Sequence, residues 1–250
     1  MMTESSLPTL TRAVAASEAA LDAWLAAAGD TGAVALIDKE EDWTSFGVVA
    51  KLRSMTRIRR IGHAGTLDPL ATGVLIVCVG KATKRVDQFQ EEDKVYRVTI
   101  KLGATTETDD RGSEECILQG ASQPPDQDVL TALQAFVGTI QQTPPTYAAI
   151  KHAGRPQYDL ARKGKAFIPR PRIVTINAIT DVTIDWPFVH CTIECSKGTY
   201  IRSIARDVGK SLGVGGYVHA LRRTKSGGFL ADDGVTISAL RDVFASRVVA

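Results

Sequence analysis

Two segments of alternating polar and apolar residues, 172–185 and 187–196, follow one another with no helix between them. Alternation with a period of two is typical of strands that bury one face, and only the Trp186–Pro187 break separates the two segments. Strands joined by so short a connection pair antiparallel, because a parallel pair needs a crossover of about a dozen residues or more. The pattern favours an α+β fold, with a mixed, mostly antiparallel central sheet flanked by helices and loops.

The remaining segments supply further strands and helices. Strands are predicted at 32–38, 74–79, 95–103 and 215–223, and an acidic, turn-rich loop is predicted at 104–125. Helices are predicted at 8–28, from Thr44 or Ser45 to Met55, at 126–138, at 199–212 and near 238–246. In the second of these helices, the inner face is predicted to consist of Phe46, Val49, Leu52 and Met55.

Composition narrows the class of protein. The chain is 44% hydrophobic and 23% charged, which excludes disorder throughout. It has no apolar run near the roughly 18 residues that a membrane helix needs, and its N-terminus lacks the features of a secretory signal. Its four cysteines form no CxxC pair; we expect buried free thiols, with a zinc half-site at Cys191 and Cys195 as the alternative. We therefore expect a cytoplasmic protein with no metal and no membrane association.

Charge is segregated along the chain. Residues 151–172 hold seven basic residues against one acid, whereas residues 1–42 hold eight acids against two basic residues. Residues 107–128 hold seven acids against one arginine. A polyanion would be attracted to the basic stretch, although runs of charge are also common on solvated faces.

Residues 62–73, GHAGTLDPLATG, carry one carboxylate in a loop that precedes a buried strand. The glycines and the Asp68–Pro69 pair predict a turn that fixes the direction of the Asp68 side chain. An isolated Asp-Pro pair is usually only a turn former. The glycine spacing fits neither the P-loop nor the dinucleotide-binding pattern, so chemistry on nucleoside triphosphates is not expected.

The segment GHAGTLDPLATGVLIVCVGKATK resembles the signature of the TruB-type family of bacterial tRNA pseudouridine-55 synthases. Four more motifs of that family have counterparts in the same order: KVYRVTIKLG with TTETDDRG, TPPTYAAIKHAGRPQYDLARKG, SKGTYIRSIARDVGKSLG and YVHALRRTKSGGF. The similarity extends over about residues 32–240. It implies a pseudouridine synthase fold and conversion of uridine 55 in the tRNA T-loop to pseudouridine, after the base is flipped out of its stack.

The resemblance also implies catalytic residues. Asp68 matches the catalytic aspartate, Tyr96 the tyrosine that packs against the target base, and Arg202 the arginine that pairs with the aspartate. Pseudouridine formation breaks a carbon–nitrogen bond and forms a carbon–carbon bond to the same base, with no redox change and no group donor, so no cofactor is expected. The carboxylate could attack the sugar, attack the base, or remove a proton from the sugar.

Further residues are expected to contact the substrate RNA. The resemblance assigns contacts with the flipped nucleotide or its pocket to His63, Tyr200, Leu221 and Lys151, besides Tyr96. Basic residues beside the motifs are candidate phosphate contacts: Arg57, Arg59, Arg60, Arg155, Arg162, Lys163, Arg170, Arg172, Arg222 and Arg223. The expected partner is the T-stem-loop of tRNA, with no obligatory protein partner and a monomeric enzyme.

Three features depart from the family pattern. The first motif reads DKEEDWTS (38–45) where DKPxGxTS is usual, so two acids lie near an edge expected to face RNA. An Ala-rich helical extension, 1–31, precedes the catalytic domain, 32–240. A tail, 241–250, follows with no PUA-type domain, which predicts weaker or more salt-sensitive tRNA binding. The alternatives are a non-catalytic RNA-binding or tRNA-folding module, or a synthase that modifies another RNA.

Overall fold

The computed structural model describes residues 7–147, 151–152, 155–156 and 170–249. The chain forms two compact units: the first comprises Met1–Lys94 with Arg222–Ala250, and the second comprises Val95–Leu221. Strands and helices occur in both units, which confirms the predicted α+β class. In the part of the chain that the structure describes, no helix has the length and apolar character needed to cross a membrane.

The strands, in chain order, are β1 Thr9–Leu10, β2 Ala33–Lys39, β3 Ile61–Ala64, β4 Thr72–Val79, β5 Lys94–Leu102, β6 Ala104–Thr106, β7 Glu115–Ile117, β8 Gly138–Gln142, β9 Lys151–His152, β10 Arg155–Pro156, β11 Arg172–Asp185, β12 Phe188–Cys195, β13 Gly216–Ser226 and β14 Phe229–Leu230. The helices are α1 Arg12–Ala15, α2 Glu18–Asp30, α3 Ser45–Thr56, α4 Val86–Glu91, α5 Asp126–Gln134, α6 Ile201–Ser211 and α7 Ile237–Val249. Short 3₁₀ turns span Gly80–Arg85 and Ala231–Asp233.

The first unit is built around β4, whose apolar run is buried from Gly73 to Val79. Its strands lie in the order β1-β2-β4-β13, with β3 also paired to β4. The β1/β2 and β4/β13 pairs are parallel, and the β2/β4 and β3/β4 pairs are antiparallel. Residues of β2, β3 and β4 share one hydrophobic cluster, so β4 is fixed on both sides next to the loop that carries Asp68.

Gly73 permits the close approach of β4 to β13. Its φ is +100°, and a Cβ placed on it would lie 2.2 Å from the Arg223 carbonyl oxygen. Both the backbone conformation and the lack of space require glycine here. The last glycine of the GHAGTLDPLATG motif is therefore explained by strand pairing.

The N-terminal segment differs from the single helix predicted at 8–28. Thr9–Leu10 pairs with β2 as a strand, and two helices follow because the Ser17 side chain accepts a hydrogen bond from Ala20 N and starts a new helix. The Trp24 Nε1–H donates to the Val34 carbonyl at 2.9 Å. The segment thus covers the β2 edge of the first unit.

The second unit has the strand order β13-β5-β12-β11-β8, with β13 contributing its residues up to Leu221. The β11/β12 pair is antiparallel, which confirms the prediction from the two alternating segments. Helix α6 packs tightly against the start of β13: a Cβ on Gly209 would lie 2.2 Å from the Gly215 carbonyl carbon. This contact fixes the helix that carries Arg202.

Four local predictions are wrong. Residues 104–125 are not a continuous loop, because β6 and β7 pair antiparallel within them. Gly62–Ala64, at the start of the segment predicted to be irregular, form part of β3. Phe46 is 69% exposed, so the buried face of α3 runs through Val48, Val49 and Leu52 instead. Cys116 is exposed, while the other three cysteines are buried.

Candidate active site

Asp68 lies in the loop of residues 65–71, between β3 and β4. The Ser45 hydroxyl accepts a hydrogen bond from Leu67 N and donates one to Leu67 O, both at 2.9 Å. Ser45 and Leu67 are both buried, and Ala71 N donates to the Asp68 carbonyl at 3.1 Å. The backbone before Asp68 is therefore held by the first residue of α3, and a turn bond within the loop holds the Asp68 carbonyl.

Lys39 ties the same loop to the end of β2. Its ammonium donates to three carbonyls, those of Glu40 at 2.9 Å, Trp43 at 2.6 Å and Pro69 at 3.0 Å. The residue is 0% exposed, and burial lowers the pKa of Lys39 to about 8. The charge of Asp68 opposes that decrease, so the ammonium and the Asp68 carboxylate stabilise each other.

Arg223 holds the loop from β13. Its Nη2 donates to the Gly65 carbonyl at 3.1 Å and its Nε to the Val74 carbonyl at 2.8 Å. At 1% exposed, the side chain is directed into the protein instead of toward a phosphate, which differs from the prediction. Its neighbour Arg222 forms a two-point ion pair with Asp38 at 2.8 and 3.0 Å. Both arginines therefore serve the internal structure of the first unit.

His63 lies on β3, two residues before the loop. Burial lowers its pKa, and the nearby charge of Arg223 lowers it further, so the imidazole is neutral at neutral pH. Its Nδ1 is buried and has no hydrogen-bond partner among the described residues. The expected contact of His63 with the flipped nucleotide stays a prediction.

Two acids of the DKEEDWTS segment, Glu40 and Asp42, form hydrogen bonds within the protein. The Glu40 carboxylate accepts hydrogen bonds from Ser238 N at 3.2 Å and Ser238 Oγ at 2.5 Å, at the first turn of α7. A carboxylate at a helix N-terminus is favourable because it satisfies backbone N–H groups and complements the helix dipole. Asp42 adopts a φ of +65°, and its N–H donates to the Pro69 carbonyl. The unusual motif therefore supports α7 and the Asp68 loop.

Arg202 is a buried cation of the second unit. It lies in the first turn of α6 and is 5% exposed. Its Nη1 donates to the Thr108 carbonyl at 2.8 Å, its Nη2 donates to the Tyr147 carbonyl at 2.9 Å, and its Nε lies 3.7 Å from the Asp110 carboxylate. The buried guanidinium thus joins α6 to the segment after β6 and the segment after β8.

The segment after β8 is attached to α6 at further points. The Gln142 side chain exchanges two hydrogen bonds with the Tyr200 backbone, at 2.8 and 3.1 Å. The Thr143 carbonyl accepts from Ser203 Oγ at 2.9 Å and from Arg206 Nη2 at 3.0 Å. These bonds fix residues 142–147 along the first two turns of the helix.

The aromatic residues named from the sequence occupy different positions in the second unit. Tyr96 lies on β5 and is 8% exposed, and its packing against the target base stays a prediction. Tyr200 precedes α6, and the Arg172 guanidinium lies 5.2 Å from the centre of its ring. This cation–π contact gives Arg172 a structural role beside its predicted phosphate contact. Leu221 is half-buried on β13.

Four predicted RNA contacts have no described side chain. The backbones of Lys151 and Arg155 belong to the antiparallel β9/β10 pair, whereas Arg162 and Lys163 lie outside the described residues. Arg170 is described and exposed. The predictions for these residues stay predictions.

A group of exposed basic residues lies at the start of β3, and we call it the basic edge: Arg57, Arg59, Arg60, Lys81 and Lys84. Two backbone segments form it. They are joined by a bond from Gly80 N to the Arg60 carbonyl at 2.8 Å and one from Arg60 Nε to Thr83 Oγ1 at 2.6 Å. The three arginines were predicted from the sequence. The two lysines were missed, although they stand in the GKATK end of the first motif.

Three further residues escaped the prediction. Lys39 follows Asp38 at the end of a buried strand, and its burial could have been suspected from the strand pattern. Asp110 and Arg206 lacked such a signal, because a carboxylate in an acidic loop and an arginine on an amphipathic helix are usually solvated. Only the folded second unit brings them to Arg202 and Asp109.

Sequence comparison identifies the family. Residues 53–201 match the model described as TruB family pseudouridylate synthase (N terminal domain), and residues 202–248 match the tRNA pseudouridylate synthase B C-terminal domain. The tRNA pseudouridine synthase B of Parabacteroides distasonis is 41% identical over 87% of this chain and 95% of that protein. The enzymes of the same name from Clostridium kluyveri and Trichormus variabilis are 43% and 46% identical, each over 82% of this chain and 70% of the relative.

Solved structures agree on the fold. A Cbf5–Nop10–Gar1 complex matches with a TM-score of 0.66 and 28% identity over 87% of this chain. An H/ACA RNP bound to a substrate RNA containing 2'-deoxyuridine matches with a TM-score of 0.64 and 26% identity over 87% of this chain. This chain spans 56% and 55% of those two chains, about half of their length. The matches confirm the predicted pseudouridine synthase fold and, with the sequence comparisons, the isomerase class. The chain belongs to the TruB family of pseudouridylate synthases.

Proposed function

We propose that this chain isomerises uridine to pseudouridine at position 55 in the T-loop of tRNA, with Asp68 as the catalytic carboxylate and no cofactor. We assign the reaction to residues 32–240. Tyr96 packs against the target base, and Arg202 acts with the aspartate, as the family resemblance implies. His63, Tyr200, Leu221 and Lys151 contact the flipped nucleotide or line its pocket.

One observation supports the proposal above all: several buried side chains hold the backbone of the loop around Asp68. Its backbone is bonded by Ser45, Lys39 and Arg223, three buried polar side chains from three different elements. A loop that served only as a turn would not require three buried polar groups, each of which costs free energy to desolvate. Rigid support is expected where a carboxylate must meet one atom of a substrate within a fraction of an ångström.

The relatives support tRNA as the substrate. Three relatives named for activity on tRNA are 41% to 46% identical to this chain, and it spans at least 70% of each. The matching chains of the Cbf5–Nop10–Gar1 complex and of the H/ACA RNP are 28% identical or less, and this chain spans about half of them. The comparison favours tRNA over another RNA, and the anchored Asp68 loop favours an enzyme over a non-catalytic binding module.

A uridine in the T-loop is stacked, and extracting it costs a few kcal/mol. Phosphate contacts must offset that cost. The basic edge is the first candidate, since its five cations are exposed and the segments that carry them are bonded to each other, although the Lys81 ammonium also lies 3.8 Å from the exposed Asp30 carboxylate. Arg170 and the basic residues of the 151–163 segment are further candidates. Arg222 and Arg223 are not included, because Asp38 and two backbone carbonyls already bind them.

The test uses the full chain and an unmodified tRNA transcript labelled with tritium at C5 of uridine, without added metal or cofactor. Formation of pseudouridine releases that tritium, so the label in water reports turnover. The wild-type chain should release one equivalent per tRNA, and a transcript with cytidine at position 55 should release none. Release of label from the cytidine-55 transcript at the normal rate would show a different target.

Asp68→Asn is the decisive variant. It should bind tRNA in a filter-binding assay with wild-type affinity and release no tritium. Asp233→Asn is the matched control, because Asp233 is an exposed aspartate of the same unit. Normal turnover by Asp68→Asn would remove the carboxylate from the mechanism. Absence of turnover by a wild-type chain that binds tRNA tightly would favour a tRNA-folding module.

A further inference from the structure

Two arginines lie one helical turn apart on α6, and only the first was expected to function. Arg206 follows Arg202 by four residues, so both side chains project from the same face of the helix. Arg206 Nη1 lies 3.0 Å from Asp109 Oδ2, and its Nη2 donates to the Thr143 carbonyl at 3.0 Å. Its Nε and Nη2 also contact the carboxylate of Asp207, at 2.8 and 3.2 Å.

Arg206 and Arg202 bind the same two segments. In the segment after β6, Arg206 holds the Asp109 side chain, while Arg202 contacts Thr108 and Asp110 on either side of it. The two arginines also share the segment after β8: Arg206 bonds the Thr143 carbonyl, and Arg202 bonds the Tyr147 carbonyl. Each arginine therefore depends on a backbone that the other also fixes.

Asp109 is the critical link between them. Its φ of +59° puts it in the left-handed region, which costs free energy for a residue other than glycine. Its carbonyl accepts from Val218 N at 3.0 Å, which anchors the turn to β13. This conformation directs the Thr108 carbonyl and the Asp110 carboxylate toward Arg202, and the ion pair with Arg206 offsets its cost.

We propose that Arg206, through its ion pair with Asp109, is a positioning residue that sets the orientation of the Arg202 guanidinium for catalysis. The proposal rests on the proposed function, in which Arg202 acts in the reaction. Arg206 itself has no catalytic contact assigned to it. Its effect is on the two backbone segments that receive the hydrogen bonds of Arg202.

The local charges are consistent with this role. Burial raises the pKa of Asp109, and the charges of Arg206 and Arg202 oppose that increase, while Asp207 adds to it. Removal of Arg206 leaves Asp109 as a largely buried carboxylate with a weaker set of partners. Such a group leaves its position or takes up a proton, and either outcome releases the turn that faces Arg202.

The test compares Arg206→Gln with three other variants in the tritium-release assay. A misplaced catalytic group can cost up to about 100-fold in rate, so we expect Arg206→Gln to lower kcat by roughly tenfold and to change KM less than about twofold. Adding Asp109→Asn should restore part of the lost kcat, because it removes the buried charge. The kcat of Asp207→Asn should be close to that of the wild type, since Asp207 is on the same helix as Arg206 and bonds neither the segment after β6 nor the segment after β8.

Arg241→Gln is the matched control, because Arg241 also contacts the aspartate that follows it, Asp242, and both side chains are exposed on α7. It should leave kcat unchanged. A kcat for Arg206→Gln within twofold of wild type, in a protein with normal thermal stability, would overturn the proposal. An equal loss of kcat in Asp207→Asn would overturn the assignment of Asp109 as the link.

A second readout needs no turnover. The Arg202 N–H groups are bonded to two carbonyls, so their nitrogen-15 NMR signals should show slow exchange with water in the wild-type chain. Arg202→Lys identifies those signals by their loss. In Arg206→Gln the Arg202 signals should shift and exchange faster, and unchanged signals would overturn the proposal even if the chain proved inactive on tRNA. If the Arg202 signals shift in Arg206→Gln but the wild-type chain is inactive on tRNA, only the proposed function is refuted.

Discussion

At the scale of single residues, each unit contains buried cations that bond backbone carbonyls. Lys39, Arg202 and Arg223 are each at most 5% exposed, and together they bond seven carbonyl groups of the loops around them. A buried charge is costly, and hydrogen bonds and nearby opposite charges offset that cost. Such residues specify one conformation of a loop more than they stabilise the fold.

Replacement of Lys39 tests this interpretation. Lys39→Met keeps the apolar stem and leaves the Glu40, Trp43 and Pro69 carbonyls without their common donor. We expect the free energy of unfolding to fall by about 1–3 kcal/mol, the typical cost of unsatisfied buried polar groups. Urea denaturation measures the change. We also expect a lower kcat with nearly unchanged tRNA affinity, because the Pro69 carbonyl adjoins Asp68, and an unchanged kcat would contradict the positioning role.

The pKa of Lys39 provides a second prediction. Burial lowers it to about 8, against the ordinary value of 10.5. Between these values the unfolded chain binds more protons than the folded chain at this residue, so the Lys39 contribution to the free energy of unfolding increases with pH. The difference in unfolding free energy between wild type and Lys39→Met should therefore grow from pH 8 to pH 10. A constant difference across that range would contradict the lowered pKa.

At the scale of secondary-structure elements, glycine positions determine how closely elements pack. Gly73 lets β4 pair with β13, and Gly209 lets α6 approach the start of β13. Each position excludes a Cβ because backbone atoms lie 2.2 Å from where it would stand. The elements that carry Asp68 and Arg202 are thus fixed by contacts that only glycine permits.

Gly73→Ala should therefore be strongly destabilising. An alanine here must adopt a positive φ, and backbone strain of this kind costs about 1–3 kcal/mol. Its Cβ would also clash with the Arg223 carbonyl, which adds to that cost. Gly228→Ala is the matched control, because no atom lies within 4 Å of a Cβ at that position. Urea midpoints of the two variants measure the difference. Equal midpoints would show that β4 and β13 separate easily.

At the scale of the whole molecule, charge is distributed unevenly, as the sequence indicates. In the first unit, the basic edge gathers five exposed cations, although that unit also contains the acidic N-terminal segment. Asp38 and Glu40 of that acidic segment are bound internally by Arg222 and Ser238. Of these two acids only Asp38 is balanced by a cation, because Ser238 is neutral, and Asp30 of the same segment lies 3.8 Å from Lys81 of the basic edge.

The salt dependence of tRNA binding tests the basic edge. Each phosphate contact contributes about 0.9 to the slope of log K against log salt in a duplex. Replacement of Lys81 and Lys84 by Ala should thus reduce that slope by nearly two and weaken binding at low salt, with kcat at saturating tRNA unchanged. A double variant of the exposed residues Lys210 and Arg241 is the control. An unchanged slope in the lysine variant would place the RNA elsewhere.

The sequence by itself determined the α+β class, the family and the order of the longer elements, whereas short strands such as β1, β3 and β6 were not predicted. Periodic apolar residues locate β5, β11, β12 and α6 within one or two residues, because burial of one face imposes that period on any chain, and a continuous apolar run locates β4. Five ordered motifs identified the family. The glycine and Asp-Pro signals predicted a turn around Asp68, since such turns depend on local backbone conformation.

Only the tertiary structure decided which polar residues are buried and what they bind. Arg223 reads as a surface cation in the sequence, yet it bonds Gly65, which is 158 positions away. Arg206 reads as a solvated helix residue, yet it holds Asp109, 97 positions away. A buried ion is tolerated only where distant segments supply its partners. The spacing of apolar residues along the chain does not indicate which segments those are. The network that orients the proposed catalytic groups is therefore a property of the folded units.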